Sequence, residues 1–164
     1  MQKTIIITGS TSGLGKELVK IFSEFQDWKV FAGYRNKDLI ESKENVEYFY
    51  IDMLNRESIS EAAKVIKSKT DKIDVIINVA GTVVAGPVEV LDTDSLRRQF
   101  EVNTFSHIEF VQNLVPILSG GRVVNISSMA SFGHFPFISP YCASKRALDI
   151  FFNAFALENH SNID

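Results

Sequence analysis

The apolar stretch at residues 4–8 runs without interruption into Gly9-Ser10-Thr11-Ser12-Gly13-Leu14-Gly15, and a helical pattern opens inside that loop. Few features constrain a fold more. A short continuous apolar run bounded by turn residues reads as a strand covered on both faces, as in a parallel sheet. The pattern over 14–25 places Leu14, Leu18, Ile21, Phe22 and Phe25 at helical spacing. Glycines permit torsions and close approaches that a Cβ would block. A helix start also offers unpaired N–H groups and a positive dipole end, which suit a pyrophosphate. An ordinary turn and cap would use the same residue types. The position directly after the first strand favours the phosphate reading, because open α/β sheets hold dinucleotides there. The spacing is G-x-x-x-G-x-G rather than the commoner G-x-G-x-x-G.

The alternation continues along the chain. Strands are predicted at 30–32 and 46–51, followed by a helix with Ile59, Ala62, Ala63 and Ile66 on one face. A strand at 73–79 precedes a long helix over 93–118 with Pro116 near its end. Gly120-Gly121 then breaks the chain before a strand at 122–126, and a last helix spans 140–158, with Pro140 suited to the first turn. Strands separated by helices imply right-handed βαβ units. The expected fold is α/β: one domain over residues 1–164, a doubly wound parallel sheet with helices on both faces. A net charge of −3, with no basic run interleaved with aromatics, argues against a nucleic-acid partner. Ile5-Ile6-Ile7 is too short for a signal peptide, and no apolar run approaches a membrane span. The single cysteine, Cys142, fits a reducing compartment, so a cytoplasmic location is expected.

The tip of strand two reads Gly33-Tyr34-Arg35-Asn36. A site for NAD commonly places a carboxylate at this point to meet the ribose hydroxyls. None is present, and the planar fork of Arg35 can clamp a 2′-phosphate, unless it is simply a surface arginine. Farther on, Tyr141 and Lys145 lie four residues apart and share a helix face. Strand five ends in Ser127-Ser128, at the carboxyl edge where ligands bind in this architecture. Reduction of a carbonyl needs a proton for the oxygen, and a free phenol near pH 7 holds its proton tightly. An ammonium close by favours the phenolate, so Lys145 can make Tyr141 a usable acid/base while Ser128 holds the substrate oxygen. The apolar run 129–137 joins Ser128 to Tyr141, so Met129 and Phe135 are expected beside a hydrophobic substrate.

Taken in order, Thr8-Gly9, Gly13-Leu14-Gly15, Asp52, Asn78-Val79-Ala80-Gly81, Asn103, Ser128 and Tyr141 with Lys145 resemble the compact, single-domain branch of the short-chain dehydrogenase/reductase family. The resemblance covers essentially the whole chain and implies a doubly wound parallel sheet (the NAD(P)-binding Rossmann fold) in the strand order 3-2-1-4-5, without the family's later strands. It implies an NADP(H)-preferring oxidoreductase acting on an alcohol or carbonyl, with Tyr141 as acid/base and Ser128 orienting the substrate. It further implies that Lys145 binds the nicotinamide ribose and that Asn103 holds a water linking Lys145 to solvent. Asp52 and the Met53 backbone would meet the adenine; Asn78, Ala80 and Gly81 would border the cofactor beside Gly9, Ser10, Thr11, Ser12 and the rest of the glycine loop. Members similar to this chain pair through the helices starting near Thr93 and Pro140, which implies a homodimer or homotetramer. Val79 stands where the family usually has a second asparagine, which questions the hydrogen bonding of that turn. The family also continues past the last helix with further strands and a substrate cover. The resemblance therefore implies that the 164-residue form binds NADP(H) but turns over poorly, with strand five an exposed edge.

Other residues stay in the background. His107 and His160 read as packed or solvated, Cys142 as an inert small residue, and Phe151, Phe152 and Phe155 as core or subunit interface. No cluster has metal-ligand spacing. An epimerase or dehydratase of the extended branch shares the Tyr–Lys pair but spaces its glycines G-x-x-G-x-x-G. A noncatalytic dinucleotide sensor or interaction protein is the alternative outside the enzymes, and the intact Ser128, Tyr141 and Lys145 weigh against it.

Overall fold

The computed structural model describes residues 2–118 and 120–158. Five parallel strands form one sheet: β1 (Lys3–Ile7), β2 (Trp28–Tyr34), β3 (Val46–Tyr50), β4 (Val75–Asn78) and β5 (Arg122–Asn125). Their order is β3-β2-β1-β4-β5, as the resemblance implies. β1 sits at the centre because its isoleucines are apolar in both directions. Ile6 packs with Phe31, Phe49 and Phe110 on one face; Ile5 and Ile7 pack with Val19, Val30 and Ala32 on the other. Each such side chain contributes about 1.5–3 kcal/mol on full burial.

α1 (Gly13–Ser23) covers the second of these faces, through Val19 and, half-buried, Leu18 and Phe22. On the first face lie α2 (Arg56–Lys67), with Ile59, Ala62, Ala63 and Ile66 buried, and α4 (Ser106–Leu114), with Phe110, Val111 and Leu114 buried. α5 (Ser139–Glu158) adds Phe152 and Phe155 to that cluster. Asn55 caps α2 by accepting from the Ser58 N–H at 3.1 Å.

The long helix expected over 93–118 is interrupted. It begins as α3 (Thr93–Phe100), widens into a π turn over Glu101–Phe105, resumes as α4 and tightens into a 3₁₀ turn over Val115–Ile117. Pro116 lies in that last turn, where its missing N–H ends the α-helical ladder. Strand limits also shift. β2 is longer than its apolar stretch because Trp28 and Lys29 pair with Lys3 and Thr4. The 73–79 run yields only Val75–Asn78, since the Ile73 N–H donates to the Ile117 carbonyl instead. Among the described residues β5 pairs with β4 alone, and Val124 is exposed.

Candidate active site

The glycine loop is shaped by its contacts with the turn after β4. Gly9 has φ +64°, and a Cβ there would stand 2.9 Å from the Ala80 Cα and N. Thr8 Oγ1 accepts from the N–H groups of Val79 (3.0 Å) and Ala80 (3.2 Å). Val79 therefore needs no amide side chain to satisfy this turn; it packs against the cluster under α1. Ser10 is buried and fastens the loop to β2, its hydroxyl and N–H both donating to the Gly33 carbonyl at 2.8 and 3.0 Å. Ser12, the residue before α1, makes no capping hydrogen bond through its side chain, and the first turn holds no acidic residue. The first amides of α1 are thus left for an external anion, a fit to a pyrophosphate.

The glycine loop and the turn after β4 border a cleft of about 640 Å³. Gly9, Thr11, Ser12, Gly13 and Leu14 form one wall, Arg35, Asp52 and Met53 another, and Ala80 and Gly81 a third. Arg35 is exposed there and has no hydrogen bond or ion pair among the described residues. Asp52 Oδ1 accepts from the Leu54 N–H at 3.0 Å, and the buried Met53 carbonyl accepts from the Ser106 hydroxyl. Ser10, Gly15 and Asn78 support the cleft without lining it. Gly15 is packed against the Gly9 carbonyl, where a Cβ would fall 2.2 Å from the oxygen, and Asn78 Nδ2 donates to Asn125 Oδ1 at 2.8 Å.

At the other end, Gly81 lies against Asn103 and Lys145; a Cβ built on it would stand 3.4 Å from Asn103 Oδ1 and 3.6 Å from Lys145 Nζ. Lys145 is buried, and its ammonium donates to the Ile126 carbonyl at 2.7 Å. Burial pushes its pKa below the usual lysine value, while Asp149 opposes the shift. Asn103 Oδ1 accepts from the Thr82 N–H at 2.8 Å, and its Nδ2 donates to the Thr82 carbonyl (2.9 Å) and the Ser144 hydroxyl (3.0 Å). Ser144 in turn donates to the Tyr141 carbonyl at 2.9 Å, so Asn103 braces the first turn of α5 where Tyr141 stands. The π turn is centred on Asn103; such turns recur at functional positions. Ser128 Oγ accepts from the Ala130 N–H at 3.1 Å, which leaves its own proton free to donate.

Met129, Phe132, Phe135 and Phe137 are all exposed on the segment between Ser128 and Tyr141. Phe137 holds a left-handed φ of 68°, and its carbonyl accepts from the Gly86 N–H at 2.7 Å, tying this segment to the loop that follows β4. Phe132 and Phe135 also line an apolar pocket of about 740 Å³ with Cys142 and Arg146. Cys142 is buried and unpaired, Phe151 exposed, and His107 fully buried; His160 lies outside the described residues. No metal-ligating cluster occurs among the described residues, and no helix among them is long and apolar enough to cross a membrane. Sequence reasoning missed Arg98, which lines the cleft from α3; of three residues that fix its walls, it took Thr8 only as part of the glycine motif, Gln99 not at all and His107 only as packed or solvated. The regular spacing of 99, 103 and 107 is the signal that could have exposed the last two.

Comparison with known proteins gives the family and the fold. A family described as short chain dehydrogenase matches residues 3–163. A probable short-chain type dehydrogenase/reductase of Helicobacter pylori is 35% identical over 158 residues, 93% of this chain and 58% of that protein. A 3-ketodihydrosphingosine reductase of Bacteroides thetaiotaomicron is 31% identical over 95% of this chain and 58% of its own length. A short-chain dehydrogenase structure from Streptomyces avermitilis superposes with a TM-score of 0.91 at 26% identity, covering 96% of this chain and 61% of that one. A Burkholderia phymatum short chain dehydrogenase/reductase in complex with NAD shares the fold, with a TM-score of 0.90 at 19% identity over 99% of this chain and 63% of that one. The chain thus spans about three-fifths of the length of these relatives.

Proposed function

The chain belongs to the short chain dehydrogenase family, and from that premise we propose that it is an oxidoreductase acting between an alcohol and a carbonyl with NADP(H) as cofactor. The observation that carries this reading is the continuity of one cleft. It runs from an uncapped helix start and from Arg35, which has no partner among the described residues, to Gly81, where an added Cβ would come within 3.6 Å of Asn103 Oδ1 and Lys145 Nζ. A bound nicotinamide nucleotide supplies hydride in reduction and accepts it in oxidation. Arg35 binds the 2′-phosphate through its planar fork, no acid at the end of β2 opposing it. Asp52 and Met53 border the adenosine end of the cleft.

Tyr141 gives its phenolic proton to the carbonyl oxygen during reduction and takes a proton from the alcohol during oxidation. Ser128 donates to that same oxygen and fixes its direction. The Lys145 ammonium stabilises the phenolate left behind, and its bond to the Ile126 carbonyl sets where that charge sits. The exposed Met129, Phe132, Phe135 and Phe137 favour a hydrophobic substrate. One relative is named for 3-ketodihydrosphingosine, a lipid ketone, which supports the same preference. The reading includes a cytoplasmic setting and a homodimer or homotetramer paired through the segmented α3–α4 helix and α5, where Phe151, Phe152 and Phe155 line a groove.

The test is nucleotide binding alongside steady-state reduction of a hydrophobic aldehyde or ketone. Tyr141→Phe is expected to remove turnover and keep NADPH affinity, and Lys145→Ala to damage both. A Tyr141→Phe protein that kept most of the parent rate would refute the mechanism.

A further inference from the structure

Three polar side chains on one side of the segmented α3–α4 helix face a single stretch of backbone. Gln99 Oε1 accepts from the Val84 N–H. Asn103 pairs with both the N–H and the carbonyl of Thr82, at 2.8 and 2.9 Å. His107 Nε2 lies 2.8 Å from the Ala80 carbonyl, an acceptor only, so Nε2 carries the ring proton and donates. Gln99, Asn103 and His107 are each fully buried. The helix residues follow one another at steps of four, and their backbone targets at steps of two.

The geometry explains the match. Four residues of α-helix advance about 6 Å, and two residues of extended chain advance about 6.6 Å. Segment 80–84 alternates in exposure as an extended chain does: Ala80, Thr82 and Val84 are half-buried, Gly81 and Val83 exposed. An α-helix would carry each fourth side chain about 40° further around its axis. The wider π turn, with Asn103 at its centre, slows that rotation between Gln99 and His107. The helix therefore takes the place of a neighbouring strand for a segment that continues β4 but has left the sheet.

Apolar side chains would be easier to bury at 99 and 107. Among the described residues Gln99 Nε2 and His107 Nδ1 have no hydrogen-bond partner, so each residue carries a second polar atom into the core together with its one bond to 80–84. That segment supplies Ala80, Gly81 and Thr82 to the cofactor cleft, and a Cβ built on Gly81 would stand 3.4 Å from Asn103 Oδ1 and 3.6 Å from Lys145 Nζ. We propose that Gln99, Asn103 and His107 act as one positioning device, a polar ladder that holds residues 80–84 as the wall of the cofactor cleft nearest Lys145, with Gln99 and His107 setting cofactor affinity from outside the cleft. The inference rests on the cofactor reading above. It assigns Gln99 and His107 no contact with cofactor or substrate.

The experiment uses Gln99→Met, His107→Leu and His107→Gln in the full chain. NADPH affinity is measured by titration, and amide exchange at Thr82 and Val84 in the nucleotide-free protein. Gln can return a donor close to the Nε2 position; Leu and Met cannot. Loss of one such bond is expected to weaken NADPH by about tenfold in His107→Leu and Gln99→Met, with His107→Gln within about threefold of the parent. The Val84 amide should exchange faster in Gln99→Met while the amides of β1 are unchanged. Leu and Met variants that melt earlier yet bind NADPH as the parent does would make these residues merely structural and overturn the proposal. So would a Gln variant as impaired as the Leu variant. A parent protein that binds neither NADPH nor NADH would refute the function proposed above and this inference together. A parent that binds, with all variants equal to it, refutes the inference alone.

Discussion

Gly15→Ala sets two physical rules against each other. Gly15 lies inside α1, and in an exposed helix interior the change to alanine gains about 1 kcal/mol from backbone propensity. The contact says the opposite. A Cβ at Gly15 would stand 2.2 Å from the Gly9 carbonyl oxygen and 2.8 Å from its carbon, both rigid backbone atoms. Ordinary contact needs the oxygen to retreat by roughly 1 Å, and overpacking of this kind costs about 1–3 kcal/mol. Gly9 has little room to yield toward β4, because even a Cβ built on it would stand 2.9 Å from the Ala80 Cα and N. The loop must instead move relative to the start of α1, which distorts the row of amides offered to the cofactor. The contact therefore wins: a net loss of stability of up to about 2 kcal/mol and a fall in NADPH affinity on the order of a hundredfold, as for a reacting group misplaced by about 1 Å. Gly13→Ala is the control. Its φ of +48° costs an alanine about 1–2 kcal/mol, but nothing lies within 4 Å of the new Cβ, so the loop is not pushed from its place. Urea denaturation and NADPH titration on the two variants separate the effects. A Gly15→Ala protein that is more stable than the parent, or that binds NADPH equally well, would show that the close approach does not shape the site.

Arg35→Ala is expected to erase a preference for NADPH over NADH of at least about tenfold, read by titrating both nucleotides; equal affinities in the parent would refute the 2′-phosphate assignment. Burial, with the Lys145 charge adding to it and the Ala80 carbonyl opposing, lowers the His107 pKa to about 4. The unfolded chain takes up this proton near pH 6.5 and the folded one only near 4, so stability falls as pH drops through that window, by up to roughly 3 kcal/mol. His107→Gln should flatten that part of the urea-midpoint profile, and parallel profiles would refute the account. Self-association through the segmented α3–α4 helix and α5 is expected because Ile150, Phe151 and Leu157 are exposed on α5. Sedimentation at micromolar concentration showing only an 18.4 kDa species would count against it.

What the sequence disclosed follows from which interactions leave a periodic trace. Ile5, Ile6 and Ile7 are apolar in succession, so β1 had to be covered on both faces, and it is, at the centre of the 3-2-1-4-5 sheet. The placement of Gly9, Gly13 and Leu14 by the cleft, and of Tyr141 one turn before Lys145, was equally legible, since local spacing alone determines it. The helix over 93–118 was read as one uninterrupted element because its apolar positions continue through the break. The π turn at 101–105 answers to polar residues, and a hydrophobic pattern cannot show that a polar face is buried. Gln99 and His107 resemble a solvated face until the backbone of 80–84 is seen against them.

Arg98 stayed hidden for a related reason. Nothing in Arg97-Arg98 distinguishes the side chain that pairs with Asp94 from the one that borders the cleft; only the angle at which α3 crosses the carboxyl edge decides it. Segment 80–84 marks the same boundary from the other side. Its valines and alanine suggest strand, yet, the Ala80 N–H bonded to Thr8 apart, its hydrogen bonds go to side chains 15 to 27 residues away along the chain. A helix can replace a strand as partner only if its polar residues recur at steps of four opposite an extended segment, with the excess rotation absorbed locally. Gln99, Asn103 and His107 meet that condition, and the π turn is where the rotation is absorbed. A break in helical geometry that looks like a defect in α3–α4 is therefore a requirement of the cleft wall it holds.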